Sequence, residues 1–388
     1  MTATDTQLQH LGLNRNPFPP ATTGTGFVDD LSLPSHWEED LRQRIRQLAA
    51  SQGDKALVIV GGYGSGKSFI LNWIQATVLP DFRVKSFLFE NPGVAFYDLA
   101  NHLMRQVGRY EVAKALWEML YTPNEPEAAG QLHIPLEFGD WLGTLNDRIR
   151  RDRAIRILSQ SMKGQGLATD EEILNKLSRL IVETGERPYF EYRDFVPRSS
   201  RSLVAEREEP QYFQTLVKIL GRILNADGIA FLLDEFEDVA LARQLNRNQA
   251  AAYTATLRRL LDVAKEEDLW IILSTTPEGL DRTLALDESF IERFSHPYII
   301  PELSEEDAYN IVEKRLQLAR NDGGEGLYPF DKDALKELAE TSRSSPRRLI
   351  KIMWHAIGLA VERAERAPLS GELVKEAEQQ LYPGVVKV

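Results

Sequence analysis

A glycine-rich stretch with one lysine and one serine is the part of this sequence best suited to chemistry. Residues 61–68 read Gly-Gly-Tyr-Gly-Ser-Gly-Lys-Ser and fit the pattern G-x-x-x-x-G-K-[ST]. Glycines let successive backbone N–H groups turn toward phosphate oxygens, and a following helix adds the partial positive charge of its N-terminus. We therefore predict a nucleotide phosphate site, in which Lys67 reaches the β- and γ-phosphates and the Ser68 hydroxyl binds Mg²⁺.

Two carboxylates follow the apolar run Ile229–Leu233. Asp234 is predicted to help hold Mg²⁺, and Glu235 to orient and activate the attacking water. An acidic loop that only caps a core strand is the alternative interpretation, and the phosphate loop favours the functional one. The two motifs together predict ATP binding and hydrolysis. The predicted nucleotide-binding residues are Gly61, Gly62, Tyr63, Gly64, Ser65, Gly66, Lys67, Ser68, Phe69 and Asp234.

Alternating strands and helices must position these residues. Short apolar runs predict strands at Leu57–Val60, Val84–Phe89, Ile229–Leu233 and Trp270–Leu273. Helices are predicted at Trp37–Ala50, Ser68–Val78, Val94–Val107, Tyr212–Leu224 and Ala251–Lys265. This alternation indicates an α/β fold, with a parallel sheet covered by helices on both faces.

The predicted domains are an N-terminal arm (1–35), an α/β ATPase domain (36–300) and an all-helical lid (301–388). The arm is expected to lie over a domain rather than to form a core element. The strand pattern stops between about 110 and 210, which predicts a helical insertion with a loop at Gly185–Ser202. In the lid, Ser304 and Asp307 match a capping box, and Asp331 and Ser370 are predicted N-caps.

With these motifs the sequence resembles AAA+ ATPases over about 1–108 and 210–385. Trp270–Pro277 is similar to the strand that carries the first sensor of that family, and the resemblance places this catalytic role on Thr275, with Ser274 and Thr276 as alternatives. Hydroxyls at a strand end that only cap the next turn are equally compatible with the sequence.

Two arginines take further catalytic roles through the resemblance. The segment Ser289–Phe294 is similar to the arginine-finger segment, which assigns Arg293 to the γ-phosphate of a neighbouring subunit. A surface salt bridge from Arg293 to Asp287 or Glu288 is the alternative. Ser345–Ile350 resembles the second sensor, and Arg347 is placed on the phosphates with Arg348 as the alternative. Ser345 as N-cap and Pro346 as first helical residue set both arginines in a first turn, where an external anion would offset their charge.

The N-terminal residues Asn16-Pro17-Phe18-Pro19, with Phe27-Val28, resemble the segment that folds over the adenine in origin-recognition-like members. Those members also carry a winged-helix domain after the lid, and none is expected here. The resemblance implies self-assembly with ATP. It leaves the insertion unexplained, so a protein partner is expected there.

The overall charge argues against binding nucleic acid by bulk attraction, because the formal net charge of the 388 residues is −12. A local basic helix is the exception, with Arg148, Arg150, Arg151, Arg153 and Arg156 as candidate DNA or RNA contacts. A solvated face paired with nearby acids is the alternative. The sequence has no cysteine, which excludes disulfides and thiolate chemistry, and its six histidines lack metal-ligand spacing.

The sequence therefore predicts a self-assembling AAA+ ATPase that remodels DNA or a DNA-bound protein complex. The alternative is an ATP-dependent switch in a multi-protein defence, signalling or transposition-type system. A small-molecule phosphotransferase fits less well, because two sensors and a finger suit hydrolysis better. No signal peptide or membrane-spanning run is predicted, so we expect a cytoplasmic protein.

Overall fold

The computed structural model describes most of the chain in segments. These are residues 3–18, 33–51, 53, 55–90, 102–103, 105–120, 137–168, 170–185, 217–241, 246–263, 268–294, 297–320, 326–332, 334–336 and 345–383. Within these segments no helix is both long and apolar enough to cross a membrane. The α/β fold class predicted from the sequence is confirmed, because five strands form one parallel sheet with helices around it.

The sheet has the strand order β2-β3-β4-β1-β5. Its strands are β1 (Lys55–Val60), β2 (Val84–Phe89), β3 (Gly228–Leu233), β4 (Leu269–Thr275) and β5 (Tyr298–Ile299). All neighbouring pairs are parallel, and Val60 at the end of β1 lies beside Thr275 and Ile299. The carboxyl ends of β1, β3 and β4 therefore share one edge of the sheet.

Helices cover the sheet as the alternation predicted. The structure gives α1 (Ala3–His10), α2 (Ser35–Ala50), α3 (Lys67–Trp73), α4 (Arg109–Leu120), α5 (Phe138–Thr144), α6 (Arg148–Gly164), α7 (Glu171–Val182), α8 (Glu237–Ala240), α9 (Arg247–Val263), α10 (Pro277–Leu286), α11 (Glu288–Ile291), α12 (Glu305–Gln317), α13 (Pro346–Glu362) and α14 (Gly371–Leu381). A π-helical turn, Ile74–Val78, extends α3 to the length predicted from the sequence.

Alternate residues of each central strand point to opposite faces, and both faces are buried. On one face Val58, Phe231 and Ile271 join a core completed by α4–α7, α9 and α11. On the other face Ile59 and Leu232 pack against α2 and α3. Burial on both faces explains why these strands read as continuous apolar runs rather than as alternating ones.

The predicted insertion is helical where the structure describes it. Its helices α4–α7 belong to the same hydrophobic core as one face of the sheet. A cluster of rings consolidates it, with Trp117 and Trp141 5.8 Å apart between centroids. The hydroxyls of Ser159 on α6 and Ser178 on α7 lie 2.9 Å apart. The insertion is therefore packed onto the ATPase domain rather than carried on a separate core.

The C-terminal helices form a third core. Ser304 and Asp307 make the expected capping box at the start of α12. Ser345 caps α13 with Pro346 in the first turn, and Ser370 caps α14. The helix expected after Asp331, the helix Val94–Val107 and the loop Gly185–Ser202 fall mostly on residues outside the described part.

The N-terminal segment differs from the expected surface arm. Residues 3–18 begin with α1, and the side chains of Leu8, Leu11, Leu13 and Phe18 are buried within the core of the lid. The side-chain amide of Asn16 also donates to the carbonyl of Trp354 at 3.0 Å. Spacing of the leucines at 8, 11 and 13 gave no clear periodic signal, and their burial depends on lid helices at the far end of the chain. Pro19, Phe27 and Val28 lie outside the described residues.

Candidate nucleotide-binding site

The glycine-rich loop leaves β1 at Val60 and enters α3 at Lys67. Gly64 and Gly66 have φ angles of +78° and +101°, which residues with a Cβ rarely adopt. The N–H of Gly61 donates to the carbonyl of Thr275 at 3.1 Å, which ties the loop to β4. The loop therefore has the turn and the following helix that phosphate binding requires. Gly62 and Tyr63 are exposed at its tip.

Other predicted loop residues have different surroundings. The Ser65 hydroxyl is buried and has no partner among the described residues. Ser68 is half-buried in the first turn of α3, next to Lys67. Phe69, by contrast, packs against the core beneath the sheet. Its predicted place among the nucleotide contacts stays a prediction.

Lys67 lies folded back against its own loop. Its ammonium donates to the carbonyl of Gly61 at 3.1 Å and to that of Gly62 at 3.4 Å. It also lies 3.5 Å from Oε1 of Glu237 and 5.5 Å from the ring centre of Tyr63. The side chain is nine-tenths buried, so the charge is held by protein groups rather than by water.

Asp234 stands at the end of β3, beside β4. Its Oδ1 accepts hydrogen bonds from the hydroxyl of Ser274 and from the N–H of Glu235. The residue is 6% exposed. A buried carboxylate fixed at the edge next to the loop is chemically suited to an Mg²⁺ shell completed by phosphates and water, because Mg²⁺ prefers oxygen ligands. The described residues contain no cluster of three or more protein ligands that would hold a metal alone.

Glu235 follows in a strained backbone conformation, with φ of +52°. Hydrogen bonds on both sides hold it there, since the N–H of Phe236 donates to the carbonyl of Ser274 at 3.0 Å. The carboxyl is exposed at the sheet edge. Burial of part of the side chain raises its pKa above 4.5, and the charges of Asp234, Asp238 and Glu237 raise it further. A raised pKa suits a group that must accept a proton near neutral pH.

The three first-sensor candidates at the end of β4 differ in the hydrogen-bond partners of their hydroxyls. Ser274 bonds to Asp234, and Thr276 accepts from the N–H of Gly279 at 3.1 Å as the N-cap of α10. The Thr275 hydroxyl is buried without a partner among the described residues. Of the three hydroxyls, that of Thr275 is therefore the one without a partner among the described residues, and the predicted role of Thr275 as first sensor stays a prediction.

Glu237 is a residue near the phosphate loop that the sequence motifs did not identify. The sequence motifs assign it no role, yet its side chain is 3% exposed and its Oε1 lies 3.5 Å from the Lys67 ammonium. Its Oε2 has no partner among the described residues. Only the spacing of Asp234, Glu235 and Glu237 in the sequence hinted at it, because the direction of each side chain depends on the turn that follows β3.

The lid reaches the phosphate loop at Gly64. The N–H of Arg347 donates to the Gly64 carbonyl at 3.3 Å, and the Ser345 hydroxyl donates to the same oxygen at 3.4 Å. The neighbouring Arg348 turns away, with Glu378 at 2.9 Å and the ring of Tyr382 at 4.6 Å. The structure therefore brings the backbone of Arg347 to the loop, and the second-sensor role of Arg347, with Arg348 as the alternative, stays a prediction.

Arg293 is not brought to the loop by this chain. It pairs with Asp262 of α9 at 2.7 Å and is about one-third exposed. Of the two alternative partners from the sequence, Asp287 forms an ion pair with Arg258 at 2.9 Å and accepts a hydrogen bond from the N–H of Phe290. The ion pair with Asp262 joins Arg293 to α9, and its predicted role as an arginine finger stays a prediction.

The predicted basic helix exists as α6, but its arginines differ in surroundings. Arg150 and Arg151 donate to the carbonyls of Thr144 and Leu145 at 3.1 and 2.8 Å, so they close the turn before the helix. Arg148 pairs with Asp152 at 3.7 Å and is almost fully exposed. Arg153 and Arg156 are also exposed. Arg150 is exposed as well, so four of the five arginines lie on the surface, and their contact with nucleic acid stays a prediction.

The edge of the sheet thus joins the loop after β1, the acids after β3 and the hydroxyls after β4. The fold is that of a P-loop NTPase. No family model matches the sequence. A curated relative, an uncharacterized HTH-type transcriptional regulator of Methanocaldococcus jannaschii, is 25% identical over 116 residues, which are 30% of this chain and 28% of that protein. The match thus spans less than a third of the length of that relative.

Several archaeal solved structures resemble this P-loop chain. The Aeropyrum pernix ORC2 protein, solved as ADPNP-ADP complexes, is 14% identical with a TM-score of 0.49, covering 94% of this chain and 73% of that one. The Aeropyrum pernix ORC1 protein in complex with DNA is 14% identical with a TM-score of 0.44, covering 92% and 68%. The Pyrobaculum aerophilum CDC6P protein is 12% identical with a TM-score of 0.47, covering 95% and 72%.

Proposed function

We propose that the chain is an AAA+ ATPase that hydrolyses ATP with Mg²⁺. One observation carries the proposal: Lys67, Asp234, Glu235 and Thr275 lie at the carboxyl edge of adjacent strands, where the lid helix α13 touches the loop through Gly64. The catalytic parts of phosphoryl transfer are positioning and charge stabilisation, and this edge supplies groups for both.

Each residue has a role that follows from its surroundings. Lys67, with the N–H groups of residues 61–66, would bind the β- and γ-phosphates. Ser68 and Asp234 would hold Mg²⁺, which when bound neutralises charge on the phosphate oxygens. Ser274 would fix the Asp234 carboxylate by its hydrogen bond. Thr275 would bind the γ-phosphate or the attacking water with its unpartnered hydroxyl.

Glu235 would act as the general base. Its carboxylate would take a proton from water as the water oxygen attacks the γ-phosphorus and ADP leaves. The raised pKa favours this transfer, and exposure of the carboxyl at the sheet edge leaves room for a water molecule. Arg347 would neutralise phosphate charge from the lid side, since its backbone already contacts Gly64.

We further propose that ATP turnover remodels DNA or a DNA-bound protein complex. The exposed arginines of α6 support a local nucleic-acid contact within an acidic chain. The name of the curated relative, an HTH-type transcriptional regulator, is consistent with a DNA-linked setting. Self-assembly in the presence of ATP, with Arg293 acting on a neighbouring subunit, belongs to the same proposal.

An ATP-dependent switch within a multi-protein system is the second candidate. The pair of Arg293 with Asp262 favours it, because the arginine is already neutralised within its own chain. Such a switch would use the insertion to bind a protein partner. Stimulation of turnover by DNA or RNA supports remodelling, whereas turnover that ignores nucleic acid but depends on a protein partner supports the switch.

Replacing Lys67 with alanine tests the proposed activity. Lys67→Ala should abolish ATP binding in calorimetry and ATP hydrolysis, because it removes the buried cation of the loop. Lys85→Ala is the matched control, since Lys85 is exposed on β2 and loses the same charge without touching the loop. Unchanged ATP affinity in folded Lys67→Ala protein would refute the phosphate site.

A further inference from the structure

The ammonium of Lys67 and the carboxylate of Glu237 form an ion pair inside the protein. Nζ and Oε1 are 3.5 Å apart, and the two side chains are 9% and 3% exposed. Salt screens such a pair little, because water and ions do not reach it. Glu237 is the acidic group paired with Lys67 among the residues that the structure describes.

The packing around Glu237 leaves it few other positions. A Cβ added to Gly279 would lie 2.8 Å from the Cβ of Glu237 and 3.2 Å from its Cα. The Thr275 hydroxyl lies against the same point of α10. Gly279 is therefore the residue whose missing side chain lets α8 lie close to α10 and directs the Glu237 carboxylate toward the loop.

This contact opposes phosphate binding. Lys67 now points to the Gly61 carbonyl and to Glu237, both of which are groups of the protein. Binding of the β- and γ-phosphates would draw the ammonium away from Glu237. A buried carboxylate without its cation, close to several phosphate charges, is unfavourable.

We infer that Glu237 is a positioning residue that holds Lys67 back in the nucleotide-free protein and thereby sets the affinity for di- and triphosphate nucleotides. The inference rests on the proposed nucleotide site and adds a function for a residue outside its two motifs. In this role Glu237 lowers the affinity for nucleotide, so that ADP leaves the site after hydrolysis.

The direct test is the affinity of Glu237→Gln, which keeps the shape and removes the charge. Its dissociation constants for ADP and a non-hydrolysable ATP analogue should fall by about fivefold or more, because neither competition for Lys67 nor repulsion of phosphates remains. Calorimetry with Mg²⁺ measures both. Damage to the loop would weaken binding, so a merely structural role predicts the opposite sign.

Asp238→Asn is the matched control. It removes one negative charge from the next residue, and Asp238 is half-buried whereas Glu237 is buried. Its nucleotide affinity should stay within about twofold of the wild type, since partly solvated charges at longer range are screened. An equal gain in Asp238→Asn and Glu237→Gln would show a general charge effect and overturn the inference.

A second measurement needs no nucleotide. Thermal unfolding of Lys67→Met, Glu237→Gln and the double variant should show coupling, with the double variant losing less than the two single losses combined. Additive losses would show that the two side chains do not interact, and the inference would fall. If the wild type binds nucleotide and Glu237→Gln binds it with the same affinity, only the inference is overturned. If the wild type binds no nucleotide, the proposed function is overturned as well.

Discussion

The hydroxyl of Ser274 donates a hydrogen bond to the carboxylate of Asp234, and this bond joins the end of β4 to the end of β3. Asp234 is buried, so one of its oxygens is held in place before any metal arrives. The neighbouring hydroxyls take other roles, since Thr276 caps α10 and Thr275 has no partner among the described residues. The end of β4 thus provides one hydroxyl that orients Asp234 and another that caps α10.

Ser274→Ala should weaken binding of nucleotide with Mg²⁺ more than binding without it. The substitution frees Asp234 to rotate and removes a hydrogen bond to a charged group, with a stability loss of about 1.5–3 kcal/mol. Calorimetry with ADP in Mg²⁺ and in EDTA measures the difference. Thr276→Ala serves as control, since loss of a cap costs about 1 kcal/mol but leaves Asp234 bonded. Equal effects in Mg²⁺ and EDTA would contradict a metal role for Asp234.

Glu235→Gln should keep nucleotide binding and slow hydrolysis by roughly two to four orders of magnitude. The wild-type turnover should fall as pH is lowered through the Glu235 pKa, which lies above its ordinary value of 4.5. The variant should lack that acid limb. Steady-state turnover from pH 5 to pH 9 measures both, and a variant with turnover within a few-fold of the wild type would place the base elsewhere.

The same pKa shift predicts how stability depends on pH. Because the folded-state pKa is raised, the native carboxylate binds a proton more readily than the unfolded chain does, and ionisation destabilises the fold. In EDTA without nucleotide, Glu235→Gln should therefore unfold at a higher temperature than the wild type at pH 7. The difference should shrink as pH falls toward the unfolded-state value of about 4.3. A difference in unfolding temperature that does not change with pH would exclude a raised pKa of Glu235.

Arg293→Ala should leave ATP affinity nearly unchanged and reduce turnover sharply if the arginine acts on a neighbouring subunit. Asp262→Asn should not reduce turnover, because it frees Arg293 from its ion pair. Mixing Arg293→Ala with Glu235→Gln protein should restore part of the activity, since some interfaces then hold both intact residues. Turnover per subunit that stays flat from nanomolar to tens of micromolar protein, with only monomer in light scattering, would favour the switch.

The triple variant Arg148→Ala, Arg153→Ala and Arg156→Ala tests the exposed face of α6. DNA binding should weaken, and its salt dependence should flatten by about 0.9 in log–log slope for each phosphate that the variant no longer binds. Fluorescence anisotropy with duplex and single-stranded DNA measures it. Alanine at the exposed residues Lys332, Lys336 and Arg366 of the lid is the charge-matched control. Wild-type protein without DNA or RNA binding at low salt would end the proposal.

The sequence predicted the sheet well because each central strand is buried on both faces. The run Val84–Phe89 has the observed bounds of β2, and the apolar cores of β3 and β4 were placed correctly. In β3 and β4 the runs Ile229–Leu233 and Trp270–Leu273 contain no polar residue, so composition alone identifies them. The phosphate loop could also be identified from the sequence, because the backbone conformations of its glycines are requirements of that one loop.

Side-chain partners were harder to predict because they depend on turns and on distant helices. The sequence offered Asp287 or Glu288 only as alternative partners of Arg293 and did not indicate its ion pair with Asp262 or that of Asp287 with Arg258. Glu237 faces Lys67 only because Glu235 adopts φ of +52° and Gly279 leaves space. Neither relation has a spacing rule that would identify it from residue types.

The burial of residues 3–18 inside the C-terminal core has a consequence for biosynthesis. Asn16 and Trp354, which share a hydrogen bond, are 338 positions apart. On the ribosome, residues 3–18 are made before the lid helices, so their leucines and Phe18 leave water only after those helices have been synthesised. Until then it exposes apolar side chains that chaperones bind. A fusion partner or a deletion at the N-terminus would therefore disturb the far end of the polypeptide, and proteolysis of nascent chains should report this dependence.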